Sequence, residues 1–305
     1  MLGYLTRRVA LSAVVLVGLS LLVFAMVNLS GDPVRLLLPP DASAAEVARF
    51  RTAMGFDDPL PVRYLRFLSH AVRLDFGTSI QLRDPALGLV LDRLPATLQL
   101  AGLAVAAAIL LGVPLGVLTA VKRDTPWDTV VTSLALIGQS TPVFWVGVMS
   151  ILLFAVRLRW LPSSGIGTWE HLVLPVGTLT LFLLGGLVRV TRTSMLEVLN
   201  RPYVRTATAK GQRRRIVVWK HAFRNALIPV VTQIGLQMRF VIGGSVITET
   251  IFAWPGLGRL LVDAVYARDY PVVEAGVFVV ALLLIVVNTL VDLSYAWLNP
   301  KVSLA

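Results

Sequence analysis

Six apolar segments, at 9–29, 95–121, 129–156, 172–193, 228–248 and 272–297, run through this chain of 305 residues. A bilayer crossing needs about 20 mainly apolar residues, and in hydrocarbon each backbone N–H and C=O must find its partner inside the segment. The chain is therefore predicted to be an all-α membrane protein with six transmembrane helices. Several segments exceed the minimum length, which implies tilt or an extension into the interface. With 56% hydrophobic residues and a mean hydropathy of +0.77, the composition excludes an ordinary soluble globular chain. The first segment invites comparison with a secretory signal peptide. Its apolar run is too long, and no Ala-x-Ala-like site follows at Asn28–Asp32, so it is read as a retained helix.

The net charge of +11 is unevenly placed. With both termini in the cytoplasm, the inner side holds Arg7, Arg8, Lys122, Arg123, ten Lys and Arg between Arg189 and Arg224, and Lys301. These are fifteen of the 28 basic residues, against only Asp124, Asp128 and Glu197. Such short basic loops obey the positive-inside rule. A nucleic-acid-binding chain would share the pI of 10.8 but would not sort its charge between apolar segments. No cysteine is present, which excludes disulfides, thiol chemistry and Cys-ligated metal.

The longest basic cluster is Asn200–Pro229, between the fourth and fifth apolar segments. Pro202 suits the first turn of a helix, and Asn200 is placed to cap it. Gly211 supplies a stop. So short a helix does not persist alone in water and must be docked on something. Ala207, Ala209 and Gly211 have almost no side-chain bulk, so another protein's surface could approach the backbone closely. Lys210 and Arg213–Arg215 follow, then a second helical run enters the next apolar segment at Pro229.

This stretch resembles the coupling loop of ATP-binding-cassette importers. The general motif there is Glu-Ala-Ala, three residues, then Gly; Arg205-Thr206-Ala207 occupy the first places here and Gly211 the last. YVRTATAKG at Tyr203–Gly211, followed by HAFRNALIPVV at His221–Val231, is the form found in the dipeptide/oligopeptide/nickel branch. The likeness extends to LTRRV at Leu5–Val9, DDPLPVRYLRFL at Asp57–Leu68, DFGTSI at Asp75–Ile80, STPVFW at Ser140–Trp145, and ETIFAWPGLGRLLVDAVYARDYPVV at Glu249–Val273.

The resemblance implies a B-type membrane permease subunit with the type I importer permease fold. Its parts would be an N-terminal transmembrane helix in 1–30, an extracytoplasmic helical loop over 31–94, and a five-helix core over 95–305 that contains the cytoplasmic coupling loop 194–227. Tyr203, Arg205, Thr206, Ala207, Ala209, Lys210 and Gly211 would then meet the ATPase. The implied partners are a second homologous permease subunit, one or two cytoplasmic ATP-binding-cassette ATPase subunits, an extracytoplasmic solute-binding protein and membrane lipid, with no nucleic acid. ATP and Mg would be bound by the ATPase subunits and no cofactor by this chain, which contains no G-x-x-x-x-G-K-[ST] loop. The implied location is the bacterial inner (plasma) membrane, with both termini cytoplasmic.

Between the first two apolar segments, Gly31–Arg93 is near neutral. Ser43–Glu46 is a capping box, with Val47, Phe50 and Met54 following at helical spacing. An amphipathic helix is predicted over Pro61–Leu74, with Val62, Leu65, Leu68 and Val72 on its apolar side. The region is expected to cap the membrane surface, and a functional reading compatible with this adds docking of the external solute-binding protein. In the second segment Pro114 predicts a kink. In the third, Gly138–Pro142 is a polar interruption, read either as hydrogen-bonded glue between helices or as pathway lining. Gly177, Gly185 and Gly186 predict close helix contacts in the fourth, and Arg189 and Arg192 are expected at its inner end.

Arg239 falls near the middle of the fifth segment, where a charge costs about 2.5–3.5 kcal/mol on insertion scales, so it must face a wet cavity or a partner. Gln233 and Gln237 broaden that polar side. The candidate pathway residues are Gln139, Ser140, Gln233, Gln237, Arg239 and Glu249, and a cationic wall there could meet a peptide carboxylate. Trp254–Gly258 forces a turn, after which a helix from about Gly258 to Ala267 is expected on the outer surface. Asn288 and Asp292, one turn apart, are expected to contact neighbouring helices.

Two other function classes are weaker. An ion-driven carrier usually places acids near mid-membrane and repeats its interrupted helices in two halves, whereas Glu249, Glu274 and Asp292 lie towards segment ends and no such repeat is visible. An intramembrane hydrolase is disfavoured because H-E-x-x-H and G-x-S-x-G are absent and His70, His171 and His221 fall on different sides. No row of His, Asp or Cys has metal-ligand spacing, which disfavours a dedicated metal site; peptides are the preferred solute, with haem, glutathione or a nickel chelate as the alternative.

Overall fold

The computed structural model describes residues 2–29, 43–53 and 57–298. Asn28–Asp32 lies largely outside these, as do Met54 and Lys301. The described residues are almost wholly helical. α1 is Leu2–Leu29, α2 Ala44–Ala53, α3 Leu60–Val72, α4 Ala86–Val121 and α5 Pro126–Ser140. α6, Val143–Ser150, continues as a π-helix over Ile151–Arg157; α7 is Glu170–Leu199 and α8 Pro202–Ala209. One turn at Arg214–Ile216 and a π-helix at Val217–Phe223 lead into α9, Arg224–Ile251; α10 is Leu257–Tyr266 and α11 Tyr270–Leu298. By length and composition four described helices can cross a membrane: α4, α7, the run Arg214–Ile251, and α11 over Tyr270–Leu293. The pair α5 and α6 makes a fifth if counted as one span.

That pair is bent by 102°, and the cause is local. Proline disfavours the helical region for the residue before it and brings no N–H. Thr141 accordingly leaves the helix at φ −81°, ψ 130°, while its hydroxyl and its N–H both donate to Ile137 O, at 2.7 and 3.0 Å. The predicted polar interruption is thus a corner. α4, by contrast, runs as one helix through Pro114.

The chain divides into two compact units, one made of Met1–Pro95 and Leu260–Ile285, the other of Ala96–Arg259 and Val286–Leu304. The first takes in Leu260–Ile285, which the sequence reading grouped with the core. In this unit the Ser43–Glu46 capping box is formed, Ser43 N–H donating to Glu46 Oε2 at 2.8 Å and Glu46 N–H to Ser43 Oγ at 3.3 Å. α3 packs differently from its apolar pattern: Val62, Leu65 and Val72 are exposed. The face that meets α1 carries Tyr64 and Phe67, whose rings pack on Phe24, and Tyr64 Oη lies 2.9 Å from Ser20 Oγ. Aromatic area plus a satisfied hydroxyl outweighs the aliphatic stripe.

In the second unit α7 is the central helix. Leu179 and Leu183 join Leu100, Ala104, Val241 and Trp254 in one buried cluster, and Met195 joins Val117, Ala120, Val218 and Ala222 in another. A Cβ on Gly185 would stand 2.3 Å from Ala135 O, so the backbones of α5 and α7 approach closely there, as predicted. Gly177 has open space around it and makes no such contact. Arg192 does not emerge freely; it is bonded to Asp128.

Candidate functional site

The most distinctive surface is α8. Pro202 occupies its first turn, as the sequence predicts, but the capping residue is Arg201 and contributes no side-chain bond. Asn200 closes the preceding helix instead, its Nδ2 donating to Leu196 O at 3.0 Å. This bond satisfies one of the carbonyls that the end of a helix leaves without an intrahelical partner. At the other end Lys210 N–H bonds Thr206 O at 3.0 Å and Gly211 takes φ +73°, the left-handed stop that glycine adopts without strain.

α8 is docked by one face. Val204 and Ala207 are buried against Val217, with Val198 and Leu199 at the edge. Ala207 thus turns inward and is not available to another protein; its small side chain lets α8 sit close to the π-helical turn. Tyr203, Arg205, Thr206, Ala209, Lys210 and Gly211 are exposed. Around Gly211 there is open space. The exposed face therefore carries two cations, one aromatic ring and little bulk at its C-terminal end, and it is joined to α7 by Asn200–Arg201 and to α9 through the packing on Val217.

A second cluster lies among α5, α7 and α9. A Cβ on Gly186 would lie 2.9 Å from Gln233 Nε2, 3.1 Å from Gln237 Nε2 and 3.7 Å from Gln139 Nε2. Three of the predicted pathway residues therefore converge where a glycine leaves room. Gln237 is buried and donates to Leu183 O at 2.5 Å; Gln139 and Gln233 are half-buried. Side-chain amides both donate and accept, so this group can meet either half of a peptide unit. Ser140 is exposed at the α5–α6 corner.

Arg239 and Glu249 are not part of this cluster. Two residues past Gln237 is about 200° around a helix, and Arg239 Nη2 lies 3.6 Å from Asp292 Oδ1 of α11. Asp292 thus contacts a neighbouring helix, as expected. Glu249 is completely buried. It accepts from Thr97 Oγ1 at 2.7 Å, from Ser245 Oγ at 3.2 Å and from Arg259 N–H at 3.0 Å. It holds the turn after α9 in place, where Trp254 Nε1 also donates to Ala96 O at 2.9 Å. A carboxylate so enclosed cannot line a pathway. Its place in the sequence, near a segment end, could not show that one of its donors, Thr97, lies 152 residues away.

One further clamp escaped the sequence reading. In the first unit Asp269 accepts from the Ser79 hydroxyl and from Ile80 N–H, the latter at 3.1 Å, tying two motifs 190 residues apart. Beside it, the Phe76 and Phe278 rings lie 5.3 Å apart.

Residues 112–304 match the family described as the binding-protein-dependent transport system inner membrane component, and residues 1–101 match the N-terminal region described for such membrane components. The glutathione transport system permease protein GsiC of Salmonella paratyphi A is 42% identical over 303 residues, spanning 99% of each chain. The oligopeptide transport system permease protein AppB of Bacillus subtilis is 40% identical over 314 residues, again 99% of each. Among solved structures, an inward-facing form of the methionine ABC transporter MetNI superposes with a TM-score of 0.60 at 20% identity, covering 69% of this chain and 96% of that one. The last similarity establishes the fold.

Proposed function

The chain belongs to the family of inner-membrane components of binding-protein-dependent transport systems, and from that premise we propose that it is the permease subunit of an ATP-driven importer of short peptides, glutathione included. Its relatives' names support the solute class. The amide cluster at Gly186 supports it too, because Gln139, Gln233 and Gln237 offer the mixed donors and acceptors that a peptide backbone requires.

The observation that carries the mechanism is the seating of α8. An external binding protein presents the solute at the outer face. A cytoplasmic ATPase closes on ATP and Mg and presses on Tyr203, Arg205, Thr206, Ala209, Lys210 and Gly211. Because α8 rests on Val217 and follows directly from α7, that load passes into both long helices flanking the glutamines. A second, homologous permease subunit completes the pathway. The concentration of Lys and Arg between Arg189 and Arg224 supports a cytoplasmic position for α8 and for both termini.

The test is solute uptake by the complex reconstituted in vesicles, with peptides and glutathione offered separately. ATP-dependent accumulation of one of these is expected. Uptake driven by a proton gradient in the absence of ATPase subunits would overturn the reading.

A further inference from the structure

Where the C-terminal part of α4 meets the basic turn after α8, the surface holds a cavity of about 460 Å³. Its floor is Val117 and Val218, both buried. Pro114, Leu115 and Leu118 line one side, and Arg214, Arg215 and Trp219 the other. The cavity is polarised along α4. From Val121 back to Pro114 is about 10 Å at the helical rise, and the residues of α4 that line the cavity over that length, Pro114, Leu115, Val117, Leu118 and Val121, are all apolar. At the Val121 end Arg214 Nη2 donates to Val121 O at 3.3 Å, and Arg215 is exposed beside it. Among the described residues neither arginine is paired with a carboxylate. The nearby acids are engaged elsewhere, Asp124 with Arg123 at 3.1 Å and Asp128 with Arg192 at 2.7 Å.

We propose that this cavity binds an acidic phospholipid, its phosphate held at Arg214 and Arg215 and an acyl chain laid along Pro114, Leu115 and Leu118 towards the membrane interior. Cations at one end and hydrocarbon along the rest match an anionic amphiphile and match neither a free anion nor an uncharged lipid. Trp219, 43% exposed at the rim, suits the interface between the two. The leaflet occupied rests on the orientation proposed above; the ligand chemistry does not. Because the site adjoins the turn that carries α8, its occupancy would brace the segment through which load is transmitted.

The test uses the full chain with its co-purifying subunits in nanodiscs of equal phosphatidylglycerol and phosphatidylcholine, with one or the other lipid brominated. Both leaflets then have the same composition, so the result is independent of orientation. The Trp219 emission is isolated as the difference from Trp219→Phe. Brominated phosphatidylglycerol is expected to quench it about fivefold or more efficiently than the choline lipid. The double substitution Arg214→Gln and Arg215→Gln should bring the two lipids to parity. Leu115→Trp, which fills the apolar end, should lower quenching by brominated phosphatidylglycerol with both arginines intact. Equal quenching in the unsubstituted protein overturns the proposal. So does the absence of quenching by either lipid, which would mean that another protein chain covers the cavity.

Discussion

Asp128 and Arg192 meet through two parallel hydrogen bonds, Nε to Oδ1 and Nη2 to Oδ2, each 2.7 Å long. The carboxylate is nearly enclosed, and it also accepts from Asp124 N–H at 3.1 Å and Thr132 Oγ1 at 3.3 Å. This pair fastens the first turn of α5 to α7 about two turns before α7 ends at Leu199.

Breaking it from one side strands a buried charge. Arg192→Ala is expected to cost about 1–3 kcal/mol of stability, whereas the double variant with Asp128→Ala loses clearly less than the two single losses added together. Thermal unfolding of the purified complex measures both. Strict additivity would show that the pair contributes no coupling.

The Glu249 clamp makes a steric prediction. A Cβ on Gly256 would stand 2.4 Å from the Glu249 carboxyl carbon, so Gly256→Ala must displace a buried carboxylate that has three donors around it. A loss of about 1–3 kcal/mol is expected, read as a lower unfolding temperature. Gly177→Ala, which meets open space, serves as the control and should unfold near the unsubstituted protein.

At the glutamine cluster the effect should fall on transport. Gly186→Leu fills the space on which Gln139, Gln233 and Gln237 converge, and Gln233→Ala removes one amide without adding bulk. Both variants should assemble with their partners and hydrolyse ATP while accumulating at least about tenfold less peptide, in line with about 1–3 kcal/mol for an unmet buried polar group. Uptake at the unsubstituted rate would remove these residues from the pathway.

Much of α8 was legible in the sequence because its signals are local: Pro202 starts it and Gly211 stops it within a few bonds. The α5–α6 corner was visible as an interruption, since Pro142 acts on its immediate neighbour, but nothing local fixes an angle of 102°. What was hidden depends on distant partners. Glu249 reads as a polar residue near a span end until Thr97 and the Arg259 amide are seen around it. Arg239 calls for a wet cavity or a partner, and only the structure places Asp292 Oδ1 3.6 Å from it. Ala207 reads as a docking surface only while Val217 is out of view. Leu65 and Val72 form a regular stripe, yet the face of α3 that packs is chosen by Phe24 on another helix.

The capping box of α2 is sensitive to pH. Bonds from Ser43 N–H and then from its hydroxyl hold the Glu46 carboxyl below its usual 4.5. A carboxylate lowered in the folded state stabilises at pH above its unfolded value, and that contribution disappears as pH falls through the folded one. Hydrogen exchange at the first amides of α2, corrected for intrinsic rate, should therefore quicken between pH 5 and strongly acidic pH. Glu46→Gln, which can accept the same bonds but does not titrate, should abolish most of the difference.

The chain has no cysteine, so Ala209→Cys places a single thiol on the exposed end of α8. The decisive measurement is its labelling by a membrane-impermeant maleimide, in intact spheroplasts and in inside-out vesicles, with and without the ATPase subunits. Labelling confined to inside-out vesicles and suppressed by the bound ATPase is expected if α8 takes the load from a cytoplasmic motor. Labelling in intact spheroplasts, or labelling in vesicles that the bound ATPase leaves undiminished, would contradict it.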